Sequence, residues 1–300
     1  MSADTPRLDD VDEFSFLPQQ AAELSATVPP ARRISMPLDD GRTLSAIAYG
    51  EGAPRVVLLH GAGLNAHTWD ATVLALGAPV LSVDLPGHGD SSWRDDADYS
   101  PDRLAPDVAR AIENWAAAPV VLVGQSLGGL TAAAVAATRP ELVSDLVLVD
   151  IVPGIDGSGP AELRRFYERR SFASRDELVE HALSFGLGGS AAQARRGVTL
   201  NSRVLPDGTV EWKHHFARIA SEPLRPQQHS QRHTWDHLAA VTAPVTLVRG
   251  TRRFVSADAL DEFRRRLPAA RVLELEAPHN VQEVAPTALA DLIRSLSKRA

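Results

Sequence analysis

No cysteine occurs in the 300-residue chain. That absence removes disulfide staples, thiol nucleophiles and zinc–thiolate centres together. Lysine is almost missing, with Lys213 and Lys298 alone, so arginine carries the positive charge. No cationic surplus results: the formal net charge is −7, which speaks against a nucleic-acid partner. No apolar run approaches the ~20 residues that span a bilayer. The first thirty residues are acidic and proline-containing, without the basic start or apolar stretch of a signal segment. These absences lead to the expectation of a cytoplasmic protein, monomeric or homodimeric, with no membrane contact.

What remains is ordinary globular material, 44% hydrophobic and 23% charged, enough for one large domain or a core domain with an insertion. Residues 1–30 read as a flexible arm, with a short helix near 17–24. "RRISMPLDDGRTLSAIAYGEG" alternates about Asp40-Gly41 and predicts a hairpin. Short unbroken apolar runs follow: "RVVLLH", "PVLSVD", "VVLVG", "LVLVDI", "VTLVRG" and a weaker "RVLELE". Runs of that kind suit parallel strands covered on both faces. Helical periodicity lies between and after them, over 102–117, 127–138, 257–267 and 286–299. The expected fold is therefore α/β, a doubly wound, mostly parallel sheet. The rhythm breaks once. Residues 153–235 hold glycine-rich breaks and arginine-rich helical stretches but no buried-strand signal, and read as a helical lid. The core is then 31–152 with 236–300.

"VVLVGQSLGGL" sets Ser126 between Gly124 and Gly128, straight after a strand and at the start of an alanine-rich helix. In G-x-S-x-G the serine occupies a strained turn with no room for neighbouring side chains, its hydroxyl exposed at a helix N-terminus. A glycine-lined turn with an incidental serine is the bland alternative; the strand–turn–helix context favours a nucleophile. "VVLLHGAGLNAHTW" puts His60-Gly61-Ala62-Gly63 after an earlier strand, where backbone N–H groups can share a target with that of Leu127 as an oxyanion hole. "ARVLELEAPHNVQEVAP" places His279 in a loop between the last strand and the last helix, where a base for Ser126 is needed. "DLVLVDIVPG" ends a buried run in Asp150, a carboxylate too costly to bury without a partner.

Taken in order and spacing, "HGAG", "VDLPGHGDSS", "GQSLGG" and "APHNV" resemble the α/β-hydrolase fold superfamily, in particular its lid-bearing esterases, lactonases and C–C hydrolases. The likeness runs from about residue 32 to the end. It implies Ser126 as nucleophile, His279 as base, and the backbones of Ala62 and Leu127 as oxyanion donors. Many members carry the triad acid a few residues after the strand read here as "VTLVRG". This chain has "TRRFVS" there, and the nearest carboxylate, Asp258, suits helix-end charge compensation instead. Other lid-bearing members take the acid from the end of the preceding core strand, which here is Asp150. An aspartate nucleophile, as in epoxide hydrolases and dehalogenases of the fold, is ruled out by Ser126.

The expected function is therefore hydrolysis of a small or medium-sized, partly apolar ester, lactone or thioester through an acyl-enzyme, with no cofactor or metal. Two alternatives remain open: C–C bond hydrolysis of a ketonic ring-cleavage product, and a small-molecule receptor with slow or no turnover. Gly61, Gln125 and Trp212 are expected against the substrate. His229, His233 and His237 are spaced four apart but lack a further metal ligand, so a solvated or packing face is the default. Arg164, Arg165, Arg169 and Arg170 read as a solvated helix face. Asp84 and His88 are expected to shape the loop beneath the site, and His60 to order the oxyanion loop.

Overall fold

The computed structural model describes residues 11–154, 161–187, 189–219, 231–252 and 254–298. Around the Asp40-Gly41 turn, β1 (Ala31–Pro37) and β2 (Thr43–Tyr49) pair antiparallel from Ala31↔Tyr49 to Pro37↔Thr43. The first four apolar runs become β3 (Val56–Leu59), β4 (Val80–Asp84), β5 (Val120–Gln125) and β6 (Val143–Val149). A short antiparallel pair, β7 (Ser202–Val204) and β8 (Val210–Trp212), lies within the insertion, and the sheet resumes with β9 (Val245–Gly250) and β10 (Arg271–Leu275). The eight core strands run in the order β1-β2-β4-β3-β5-β6-β9-β10, antiparallel at β1-β2 and β2-β4 and parallel elsewhere.

Alternate residues of the central strands serve two cores, which is why their sequences are apolar throughout. Val57, Leu59, Leu122, Leu146 and Leu148 face one core, with α3 (Pro101–Trp115), α4 (Leu127–Thr138), α9 (Gln231–Ala240) and α10 (Ala257–Arg266). Val56, Leu58, Val121, Val123, Val147 and Val149 face the other, with α1 (Leu17–Glu23), α2 (Asp70–Leu76), α11 (Val281–Val284) and α12 (Pro286–Ser297). The chain steps from β3 to β4 on one side and then to β5 on the other. The loops after β3 and β5 therefore leave the strands' C-terminal ends at a topological switch point, where open α/β sheets place their ligands.

The insertion contributes α5 (Ala161–Glu168), α6 (Arg175–Ser184), α7 (Ala191–Asn201) and α8 (Phe216–Ile219). It has its own apolar cluster, including Phe166, Tyr167, Phe172, Leu178, Val198, Val210 and Trp212. The β7–β8 pair was not foreseen from sequence, because three-residue strands are too short to leave a period. Helix α9 spans the expected boundary at residue 235, yet its Trp235 and Leu238 join the main core beside α4. Among the described residues, no helix is long and apolar enough to cross a membrane.

Residues 1–10 of the expected arm lie outside the described residues. Beyond them the chain is fastened. Leu17 and Ala21 of the short helix are buried against α2, and Glu13 accepts hydrogen bonds from Arg33 Nη2 (2.6 Å) and His67 Nε2 (3.0 Å). His67 also faces Asp70 Oδ2 at 3.1 Å. Burial pulls the His67 pKa down, but Asp70 and Glu13 outweigh it and hold the ring at about 9. Burial likewise pushes Glu13 up, and hydrogen bonds from His67 and Arg33 outweigh that and bring it to about 2.

The histidines predict the pH dependence of stability. His67 binds its proton more tightly folded than unfolded, so its contribution is complete below its ordinary value of 6.5 and is lost as pH rises through about 9. At His60 and His88 no carboxylate outweighs burial, which lowers them to about 4 and 3, so protonation at acid pH favours the unfolded chain. We expect Tm to peak near pH 6.5 and to fall by on the order of 5 °C toward pH 9, with the alkaline decline flattened in His67→Gln. Thermal scans across pH test this; an alkaline decline unchanged in His67→Gln would refute the assignment.

Candidate active site

Ser126 stands between β5 and α4 with φ +52° and ψ −120°, a conformation few non-glycine residues adopt. Its N–H donates to Val149 O of the next strand (3.2 Å), and its carbonyl accepts from Gly129 (2.9 Å) and Leu130 (3.2 Å). A side chain at Gly124 would overlap the Gly128 carbonyl, and one at Gly128 would overlap the Leu59 carbonyl. The two glycines thus let strand, turn and helix approach closely enough to hold Ser126 in its strained form. Ser126 and Leu127 are half-buried.

The loop after β3 crosses close to this turn: a Cβ added at Gly61 would stand 3.1 Å from Ser126 Cβ and overlap Gln125 Oε1. His60 orders the loop as expected. Its Nε2 accepts from the Leu85 N–H (2.9 Å), which leaves the proton on Nδ1 to donate to Gly61 O (2.8 Å). Asp84 braces the same loop, accepting from Ala66 N–H (2.8 Å), Asp90 N–H (3.0 Å) and Arg33 Nη1 (2.6 Å). Among the described residues, the N–H groups of Ala62 and Leu127 have no protein acceptor. Two such donors, the second at the N-terminus of α4, can hold a developing oxyanion.

His279 lies in the loop between β10 and α11, and its Nδ1 is 2.9 Å from Asp150 Oδ2. Asp150 is fully buried at the end of β6, with φ +49°. Its N–H donates to Val248 O (2.7 Å), and Oδ1 accepts the Gly250 N–H (2.9 Å). The carboxylate is thus partnered on both oxygens, which answers the burial cost that "LVLVD" raised. With Asp150 accepting from Nδ1, the lone pair of His279 lies on Nε2, where it can take a proton from a hydroxyl. Asp258 sits exposed in the first turn of α10, behind the Ser256 cap, and makes no hydrogen bond to His279.

Of the residues expected against substrate, Gln125 is buried and reaches from Gly61 to the His279 carbonyl, to which its Nε2 donates (3.3 Å). Trp212 is buried in the insertion's aromatic cluster. His237 Nε2 lies 3.0 Å from Asp102 Oδ1, and His229 falls outside the described residues. Two contacts escaped sequence reasoning. Phe254 stacks on the His279 ring at 3.5 Å between centroids and covers one face of it. The insertion also clasps the loop after β3: Asn201 Nδ2 donates to Gly63 O (2.6 Å), and Asn65 Nδ2 donates to Leu200 O (2.8 Å). Asn65 also caps the short helical turn that follows it, its Oδ1 accepting the His67 N–H (3.0 Å).

A family model of the α/β hydrolase fold matches residues 54–286. The chain belongs to the α/β-hydrolase fold family. It is an enzyme of the hydrolase class within that family, similar at 34% identity to esterase Rv0045c of Mycobacterium tuberculosis, a match covering 95% of this chain and 96% of the relative. The crystal structure of that esterase superposes with a TM-score of 0.78, covering 96% of this chain and 99% of the other. Lipase LipV of the same organism is 29% identical, over 82% of this chain and 95% of its own length. As an α/β hydrolase, the chain carries its serine turn, histidine loop and strand-end aspartate beyond the C-terminal ends of β5, β10 and β6, where open α/β sheets place their ligands.

Proposed function

We propose that the protein hydrolyses carboxylic esters through an acyl-enzyme on Ser126, with His279 as general base, Asp150 as its buried partner, and the N–H groups of Ala62 and Leu127 as oxyanion donors. The observation that carries this reading is the hydrogen-bonded Asp150–His279 pair at the same C-terminal strand ends as a serine held at positive φ, whose neighbour Gln125 bonds the His279 carbonyl. The esterase and lipase relatives support the ester as substrate class.

In this mechanism Ser126 Oγ attacks the ester carbonyl while its proton passes to His279 Nε2. Asp150 stabilises the imidazolium, and the two N–H groups bind the tetrahedral oxyanion. Collapse breaks the C–O bond, and the imidazolium returns its proton to the departing alkoxide, which leaves as alcohol. Water then attacks the acyl-enzyme, giving its proton to His279, and the second collapse releases the acid and restores the Ser126 hydroxyl. The insertion acts as a lid whose Tyr167 and Asn201 reach the oxyanion loop, so its packing sets the shape of the pocket.

A small fluorophosphonate tests the reading. Intact-mass spectrometry of the full chain is expected to show one stoichiometric adduct, mapped to the peptide containing Ser126. A folded protein that forms no adduct, or forms one elsewhere, would overturn the assignment.

A further inference from the structure

Four polar rings at the seam between insertion and core play no part in that chemistry. Tyr167 of α5 lies 5.1 Å from His214 and 6.0 Å from Trp212 of β8, ring centre to ring centre, and Trp212 lies 5.6 Å from His214. His88, from the loop after β4, stacks on His214 at 6.1 Å. All four are more than nine-tenths buried. Even so, among the described residues Trp212 Nε1, His214 Nε2 and His88 Nε2 have no hydrogen-bond partner. The Tyr167 hydroxyl sits beside the oxyanion loop, 3.3 Å from where a Cβ on Gly63 would be. Burial alone pushes its pKa up, with no neighbouring hydrogen bond contributing.

Local hydrogen bonds fix what each group offers. The Ala217 N–H donates to His214 Nδ1 (3.2 Å), so the His214 proton resides on Nε2, a donor. His88 Nδ1 donates to Pro86 O (3.2 Å), leaving Nε2 as an acceptor. The cluster therefore presents three donors, from Tyr167, Trp212 and His214, and one acceptor. None carries charge: burial, then the neighbouring histidines, drives His214 well below its ordinary value, and burial with His60 holds His88 at about 3. Arg203 and Arg218 of the insertion pair with Glu211. Phenylalanine at 167 and 212 would fill the space without burying unmatched N–H and O–H groups, so the polar atoms need a reason.

We propose that Tyr167, Trp212, His214 and His88 form a subsite for a second, uncharged oxygen of the substrate, so that the preferred esters carry a keto carbonyl beyond the scissile one. This rests on the reading of Ser126 as the reaction centre. The excess of donors selects a carbonyl, and the lack of a cation disfavours a carboxylate, whose desolvation nothing would repay. The position follows from His60, whose ring is 5.1 Å from His88 and which bonds the Gly61 carbonyl.

Umbelliferyl esters of 4-oxopentanoate and 5-oxohexanoate are compared with those of pentanoate and hexanoate on the full chain. For at least one pair, kcat/KM is expected to favour the oxo ester by about tenfold after correction for spontaneous hydrolysis, as one matched hydrogen bond supplies. Trp212→Phe and Tyr167→Phe are each expected to bring that ratio toward one. Ratios near one in the wild type, or ratios unchanged in both variants, overturn the subsite. A readout independent of turnover accompanies it: calorimetric binding of the corresponding primary amides to Ser126→Ala. Tighter binding of an oxo amide supports the subsite whatever the nucleophile, and equal affinities overturn it. Loss of the fluorophosphonate adduct, by contrast, overturns the Ser126 reading alone.

Discussion

Replacing Ser126 by alanine is expected to lower kcat by about 10⁶, with the protein still folded. The turn that holds residue 126 is made by the backbone bond to Val149 O and by the close passage of Gly124 over Gly128, neither of which needs the hydroxyl. Alanine at φ +52° is no more strained than serine there, so Tm should stay within a few degrees. What disappears is the atom that forms the covalent intermediate in the proposed mechanism. A residual rate above the spontaneous one is still expected, because the Ala62 and Leu127 N–H groups remain to bind an oxyanion generated by water. Steady-state kinetics on a chromogenic ester decide the matter, and a variant keeping a tenth of wild-type kcat would exclude Ser126 as nucleophile.

The second large effect is expected at the acid. Asp150→Asn should lower kcat by about 10⁴ and change KM little. Asparagine keeps an oxygen for the Gly250 N–H, which is 2.9 Å from Asp150 Oδ1, so the end of β6 stays in place. Its amide nitrogen then faces His279 Nδ1, where the carboxylate now lies at 2.9 Å. A donor there favours the tautomer with the proton on Nε2, and such a ring cannot take a proton from Ser126. Asp258→Asn is the control, because Asp258 is exposed at the start of α10, remote in role from the histidine loop. Near-normal activity in Asp150→Asn with a large loss in Asp258→Asn would reverse the assignment.

The sheet was legible because strands buried on both faces leave an unbroken apolar signature, and Val56–Leu59, Val120–Val123 and Leu146–Val149 each write to two cores at once. The serine turn was legible for a related reason: backbone crowding at Gly124 and Gly128 dictates glycine, and glycine spacing is visible in one dimension. Asp150 stood out through a conflict, a carboxylate ending an apolar strand, and the structure pairs it with His279. Less was visible wherever contact depends on two loops meeting. The stacking of Phe254 on His279 and the ring contact of His88 with His214 join loops with no period, and the bond from Asn201 to Gly63 joins a helix end to a loop. The N-terminal segment, residues 1–30, reads as an arm from its composition alone. Its described part is fastened by the buried Leu17 and Ala21, by the bond from Arg196 to Gln20, and by Glu13, set between Arg33 and His67.

The clasp between α7 and the loop after β3 carries a thermodynamic consequence. Gly63 O is held by Asn201 and Asn65 is held to Leu200 O, so the insertion cannot rise without releasing the segment that presents the Ala62 N–H. If the insertion is the lid and the Ala62 N–H the oxyanion donor, as proposed, opening and loss of that donor are one equilibrium rather than two. By linkage, whatever binds tightly to that N–H must favour the closed insertion by the same factor with which closure favours binding. On the proposed mechanism, the tetrahedral oxyanion is therefore the species around which the insertion is held most firmly, and the hold is weaker before and after it.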